Sequence, residues 1–287
     1  MLFVALAGLS GLVWGVGDFA GGKATQRAAA LPVTWVSKLA SLPLLALYLV
    51  LTYVPLSTAS LVWGAVAGVF GTVGIVVFYR ALSAGAMTVV APVTAVTSAA
   101  IPVAVGLLGG ERPGAVPLVG ITCALVAIAL VSLAPGRPGE ESPVTGRLIG
   151  LAVAAGIGFA LFFVFLARAG AVAGGDAGLW PVAAAQLAAL ALTAILLGFR
   201  RSAAGNVWPR ATSLRWALLA GPFDMSANAL YLVATRRGDL SLVAPLAALY
   251  PVTTVLLALL VDHERLRPLQ VLGLVLALAA LLLVSRH

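Results

Sequence analysis

Residues 60–70 read SLVWGAVAGVF, and residues 213–223 read SLRWALLAGPF. These two stretches open a longer match: residues 60–132 lie on 213–285 at a constant offset of 153 without a gap, with about 22 of 73 positions identical. Val90-Ala91-Pro92 falls on Val243-Ala244-Pro245, Glu111-Arg112 on Glu264-Arg265, and Gly120 on Gly273. Most of the remaining differences exchange one apolar residue for another. A duplicated, lipid-soluble half-protein is the sequence signature of a secondary transporter.

The composition agrees. The chain is 62% hydrophobic and 9% charged, with a mean hydropathy of +1.13, whereas soluble domains carry about 25% charged residues. A water-soluble fold cannot hide that much apolar surface, so lipid is the solvent for most of the chain. The net charge of +8 is not a nucleic-acid signal, because the basic residues sit between apolar runs and form no stripe with interleaved aromatics. It reads as loop charge that orients helices and meets anionic lipid. The lone Cys123 excludes an internal disulfide and most metal sites.

A hydrocarbon core of about 30 Å needs about 20 helical residues. Ten segments qualify: 2–22, 31–54, 60–80, 86–108, 115–134, 146–168, 177–199, 212–235, 239–261 and 268–285. They are too long and too continuously apolar for the alternating strands of a barrel. Residues 2–22 lack a basic leader and an A-x-A cleavage site, and read as a retained helix. The polar stretch from Pro135 to Pro143 separates two halves, giving a first repeat over 1–134, a linker over 135–145 and a second repeat over 146–287. Five spans per half is an odd number, so the second copy enters the membrane from the opposite side. The sequence thus predicts an all-α integral membrane protein with ten transmembrane helices as two inverted five-helix repeats. Eleven basic residues fall in loops on one side and five on the side of the termini, which places the termini outside by the positive-inside rule.

Several motifs carry a family resemblance. Trp14-Gly15, with Asp18 and Phe19 a turn further on, lies late in the first span. Tyr79-Arg80-Ala81-Leu82 ends the third span and Val90-Ala91-Pro92 opens the fourth. The run from Ala244 to Val252, followed by Glu264, Arg265 and Gly273, is the most distinctive. Together they resemble the EamA-type transporters of the drug/metabolite transporter superfamily, over essentially the whole chain. The resemblance implies ten helices, alternating access, and export or uptake of small metabolites across the cell membrane; the excess of Arg over Lys, 15 to 2, with abundant Ala and Gly, reads as bacterial. It also implies cytoplasmic termini, against the charge count, and it names no substrate.

Asp224 is the sharpest single residue, because an ionised carboxylate inside a span costs above ~2.5 kcal/mol on insertion scales. Gly221, Asp224, Asn228, Tyr231 and Thr235 share one helix face. That face reads as a cavity wall in which Asp224 carries a proton or pairs with a cationic substrate group; the alternative is a structural carboxylate. Asp224 falls on Gly71 and Asn228 on Ile75 in the first copy, so any cavity is polar on one wall and smooth on the other. Ser10, Trp14 and Asp18 share a face of the first span. Trp14 either stacks on substrate or sits in an interfacial aromatic belt. Asp18 is a candidate partner for Lys38, which otherwise snorkels to the headgroups. Thr94, Thr97 and Ser98, and Tyr250, Thr253 and Thr254, occupy matching regions of the two copies, as substrate ligands or as inter-helix ties. Pro92, Pro102, Pro245 and Pro251 are candidate helix breaks. Gln186 reads as glue between helices, and Glu111 and Glu264 as caps or anchors at equivalent helix ends.

No cofactor is called for. Gly17 to Lys23 mimics G-x-x-x-x-G-K, but Ala24 stands where a P-loop needs Ser or Thr. His263 and His287 form no ligand cluster, and no nucleophile–base arrangement is visible. The reading is a secondary active carrier, not an enzyme, whose partners are a small-molecule substrate, protons as a candidate coupling ion, and membrane lipids, with no nucleic acid. A multidrug exporter for lipophilic compounds is the alternative, ahead of a membrane scaffold or enzyme without transport. The sequence leaves the oligomeric state open.

Overall fold

A computed structural model describes the chain except for residues 53, 55, 85–86, 134–144, 173–177, 201–206, 264–265 and 287. The linker between the halves and Glu264-Arg265 lie outside the described residues. The helices are α1 (Leu2–Thr25), α2 (Ala30–Leu51), α3 (Thr58–Ala84), α4 (Met87–Leu108), α5 (Ala115–Val131), α6 (Gly146–Ala171), α7 (Trp180–Arg200), α8 (Ala211–Thr235), α9 (Leu240–Ala247), α10 (Tyr250–Val261) and α11 (Pro268–Val284). Among the described residues there is no strand. Eight segments, one of them spanning α9 and α10, are long and apolar enough to cross a membrane, and α5 and α11 are shorter apolar helices. The ten apolar segments expected from the sequence are therefore all helical, and the chain is a multi-pass membrane protein.

Ten segments become eleven helices because the ninth is broken. Pro251 has no N–H to give to the carbonyl of Ala247, four residues earlier, which removes one rung of the helical ladder, and here the helix parts at the lost rung. Ala248 closes α9 instead, and Pro251 sits in the first turn of α10, where a proline is tolerated. Only this break forms. Pro92 and Pro102 lie inside an unbroken α4, and Pro245 inside α9. At the position of the first copy that matches Pro251 stands Ser98, whose Oγ donates to the Ala95 carbonyl at 2.8 Å. The fourth span keeps its ladder and the ninth does not.

In lipid the helices gain nothing from burying apolar surface against one another, so close packing and carbonyl contacts hold the bundle. α3 packs along α6 and α7, while α8 packs along α1 and α2. Gly68 on α3 lies directly on the carbonyl oxygen of Ala185, and Gly221, its counterpart on α8, on that of Ser37. A Cβ at either position would clash with backbone. Gly64 and Gly68, four residues apart, both face the α7 backbone, whereas Gly150 has open space beside it.

α5 and α11 pack on each other at the edge of the bundle. A Cβ on Gly120 would stand 2.8 Å from Cγ2 of Val284, and one on Gly273 2.6 Å from Cγ2 of Val131. Gly120, early in α5, thus meets the end of α11, and Gly273, early in α11, meets the end of α5. The two helices run antiparallel, and each glycine faces the residue at the offset of 153 from the other's contact.

The interior is unevenly filled. Ser241 through Ala248 of α9 are buried, whereas in α10 only Thr253 is. The bundle is packed solid around α9, at the end where the chain enters α1. Around α10, at the end of the α1–α2 turn, the residues are mostly half-buried.

Candidate functional site

Asp224 lies near the middle of α8. Its Oδ2 receives the ammonium of Lys38 from α2, with Nζ at 2.6 Å. The same oxygen accepts from Nε2 of Gln186 on α7 at 3.3 Å. Gln186 also donates to Oγ of Ser41 at 3.4 Å, and Ser41 donates to the Lys38 carbonyl at 2.7 Å. Three helices are joined by these four side chains. Lys38 therefore does not snorkel to the headgroups, nor does it pair with Asp18: its side chain is 14% exposed and points inward to Asp224, which is 32% exposed. A lysine in an apolar helix stays charged at less cost beside a carboxylate than alone, and this pairing outweighs the pull of the membrane surface.

Asn228, one turn along α8, donates Nδ2 to the Asp224 carbonyl at 2.7 Å. Its Oδ1 is buried and has no hydrogen-bond partner among the described residues. Asp18 of α1 completes the cluster, within electrostatic reach of Asp224 and Lys38. Tyr79 of α3 and Tyr250 of α10 lie near enough to feel its charge. Asp18 is exposed although protein atoms crowd around it, so the three ionisable side chains line a cleft between α1, α2 and α8.

Beside this cleft lies an aromatic block. Trp14 is buried, with its ring centroid 5.3 Å from Phe163, 5.7 Å from Tyr231 and 6.4 Å from Phe162. The Tyr231 hydroxyl donates to the Phe163 carbonyl at 3.1 Å. Trp14 is thus locked between α6 and α8 and is not part of a headgroup belt.

The other hydroxyls expected at the site are tied to backbone. Ser10 donates to the Ala227 carbonyl at 3.0 Å, and Thr94 to that of Ala152 at 2.9 Å. Thr97 donates to Val93 of its own helix at 2.7 Å. Thr254 reaches the carbonyls of Gly15 and Tyr250 at 3.3 and 3.2 Å, and Thr253 Oγ1 is buried without a partner among the described residues. Of the sequence candidates, the structure gathers Asp18, Asp224, Asn228 and Tyr250 at the cleft and packs Trp14 and Tyr231 beside it. Ser10, Thr94, Ser98 and Thr254 spend their protons on carbonyls. Gln186 is the glue between helices that the sequence suggested, joining α2 and α8, whereas the pairing of Lys38 with Asp224 was missed.

Both ends of the bundle carry a polar fastening. Glu111, after α4, accepts from the backbone N–H of Leu240 with Oε1 and of Ser241 with Oε2, each at 2.8 Å. It caps the N-terminus of α9, a helix of the other half, where a negative charge is favoured. Gly106 leaves room for this carboxylate. At the opposite end Lys23, late in α1, pairs with Asp262 just after α10. Its Nζ also stands 5.4 Å from the centroid of the Phe19 ring.

An all-helical bundle of membrane-length apolar spans, with a part-buried ion pair between them, defines a multi-pass membrane protein. The comparison of families points the same way: residues 146–286 match the EamA-like transporter family, which is consistent with a transporter of the drug/metabolite transporter superfamily. A solved structure described only as the crystal structure of a protein superposes with a TM-score of 0.78 at 18% identity, covering 99% of this chain and 98% of that one. At that identity the likeness speaks for the fold alone. No curated protein matches the chain.

Proposed function

We propose that the protein is a secondary active transporter that moves a small organic metabolite across the cell membrane by alternating access. The Asp18–Lys38–Asp224 cleft is its binding and coupling site. One observation carries this reading: three ionisable side chains from three helices converge inside the bundle, between a buried α9 and a half-buried α10. Charged groups inside a span are costly, and where they gather they mark a solute or ion path. The family match supports it from a separate direction.

The same proposal takes the two halves, 1–134 and 146–287, as inverted repeats. The ungapped sequence match and the reciprocal contacts of Gly120 and Gly273 support that arrangement. Alternating access then becomes a rocking of one half against the other about the central cleft. The break between α9 and α10 supplies a point where such a motion can bend.

Counterflow of radiolabelled metabolite pools in sealed vesicles holding the purified chain tests the function. Exchange that is saturable and lost in Asp224→Ala is the expected result. Vesicles that exchange nothing, with the protein folded and inserted, would overturn it. Broad, weak competition among unrelated lipophilic compounds would mark the multidrug alternative instead.

A further inference from the structure

Hydrogen-bond donors and acceptors around the cleft do not balance. The Lys38 ammonium and the Gln186 amide both spend a donor on Oδ2 of Asp224. Among the described residues no donor reaches Oδ1 of Asp224 or either oxygen of Asp18. The Oδ1 of Asn228, a residue 4% exposed, is a further acceptor that is buried with no donor. A buried acceptor without a donor costs about 1–3 kcal/mol, so its persistence beside two carboxylates points to a donor that arrives from outside.

Charge does not balance either. One lysine faces two aspartates, and the other titratable groups around Asp18, Tyr79 from α3 and Tyr250 from α10, are uncharged phenols that repay no negative charge. Toward the end of α1, Lys23 and Asp262 pair with each other.

Building on the transport reading, we infer that the cleft selects a primary ammonium ion on a small organic body, held by Asp18 together with the free oxygen of Asp224. A primary ammonium brings three N–H donors and one positive charge, which answers both deficits at once. A quaternary ammonium brings the charge without a donor. A carboxylate or phosphate would need a cation, and Lys38 is already committed to Asp224. A zwitterion would meet one deficit while adding an anion beside the two carboxylates. Because a proton and an ammonium compete for the same Asp18 oxygens, one excludes the other. Exchange of one proton for one amine cation through Asp18 changes no net charge in the cleft.

The test uses the full chain in detergent and in vesicles, with two matched sets of probes. Phenethylamine, phenylalanine, phenylacetate and phenethyltrimethylammonium share one body; butylamine, 2-aminohexanoate and pentanoate share another. Binding is read by calorimetry from pH 6 to pH 8. At least one primary amine should bind about tenfold or more tightly than every other member of its set, and more weakly as the pH falls. Asp18→Asn should abolish that preference, with Asp18→Glu restoring part of it. Equal or tighter binding of the amino acid or the acid in both sets overturns the inference, as does binding by no amine, or full amine preference in folded Asp18→Asn. The two readings fail separately. Amine binding without counterflow in vesicles would sink the transport reading and leave the ammonium site. Counterflow of the amino acid with no response to amine would do the reverse.

Discussion

Lys38 and Asp224 meet between α2 and α8 with 2.6 Å from Nζ to Oδ2, and the carboxylate remains about twice as exposed as the lysine that holds it, at 32% against 14%. The lysine is the more deeply buried partner and has the more to lose if the pair is broken. The carboxylate keeps one oxygen turned to the cleft.

Lys38→Met should therefore cost about 1–3 kcal/mol, below the usual range for a broken buried pair because Asp224 is partly wet. The double variant Lys38→Met with Asp224→Asn should lose less than Lys38→Met alone, since it leaves no orphaned charge. Thermal unfolding of the three proteins in one detergent measures this coupling. Strictly additive losses would mean that the two side chains do not depend on each other.

Pro251→Ala returns an N–H to the position opposite the Ala247 carbonyl. The rejoined helix should unfold at a higher temperature, while counterflow should slow, because the bend between α9 and α10 stiffens. Turnover equal to that of the unmodified chain, with the melting point raised, would show that the break serves packing alone.

Gly120→Ala and Gly273→Ala should each cost about 1–3 kcal/mol through overpacking against the facing helix, and the two losses should be of similar size. Gly150→Ala serves as the control: nothing lies within 4 Å of its added methyl, so it should be neutral or gain up to about 1 kcal/mol from helix propensity. A tolerated Gly273→Ala beside a damaging Gly120→Ala would break the equivalence of the two contacts.

Glu111→Ala strips both acceptors from the N-terminus of α9 and should lower stability by about 1–2 kcal/mol, with Glu111→Gln, which keeps one acceptor, losing less. In a Cys123→Ser background, a Ser241→Cys reporter should be labelled by a thiol reagent faster in Glu111→Ala than with Glu111 intact. Unchanged labelling would show that α9 is held by its packing and not by this cap.

The ten helical segments were legible because composition marks all of them and the ungapped repeat marks six a second time, and the helix ends in the structure fall close to the expected ones. The single break in span nine was not. Pro92 and Pro245 sit at matched positions and look alike, and the difference that matters, Pro251 against Ser98, shows only once the carbonyl of Ala247 is followed to its missing donor. Asp224 stood out because a charge in a span is conspicuous. Lys38 did not, since its partner is 186 residues away and a lysine near a helix start has an easier fate at the headgroups. A search for the opposite charge that Asp224 requires would have found it, because Lys38 lies deeper in its span than an ordinary interfacial lysine. The hydroxyls could not be sorted by sequence. Whether Ser10 and Thr94 face a solute or a carbonyl depends on which helix lies opposite, and that is a property of the packed bundle.

Gly120 against Val284 and Gly273 against Val131 are one contact made in two places. A chain of half this length, carrying one such glycine and one such valine and inserting in either direction, would form both contacts with a copy of itself. Every substitution in such a chain strikes both copies at once. Joining the copies into one polypeptide removes that constraint, so that one half can hold Asp224 where the other keeps Gly71. Asp224 then joins Lys38 and Gln186 on one side, while Gly71 packs on the Phe162 ring on the other.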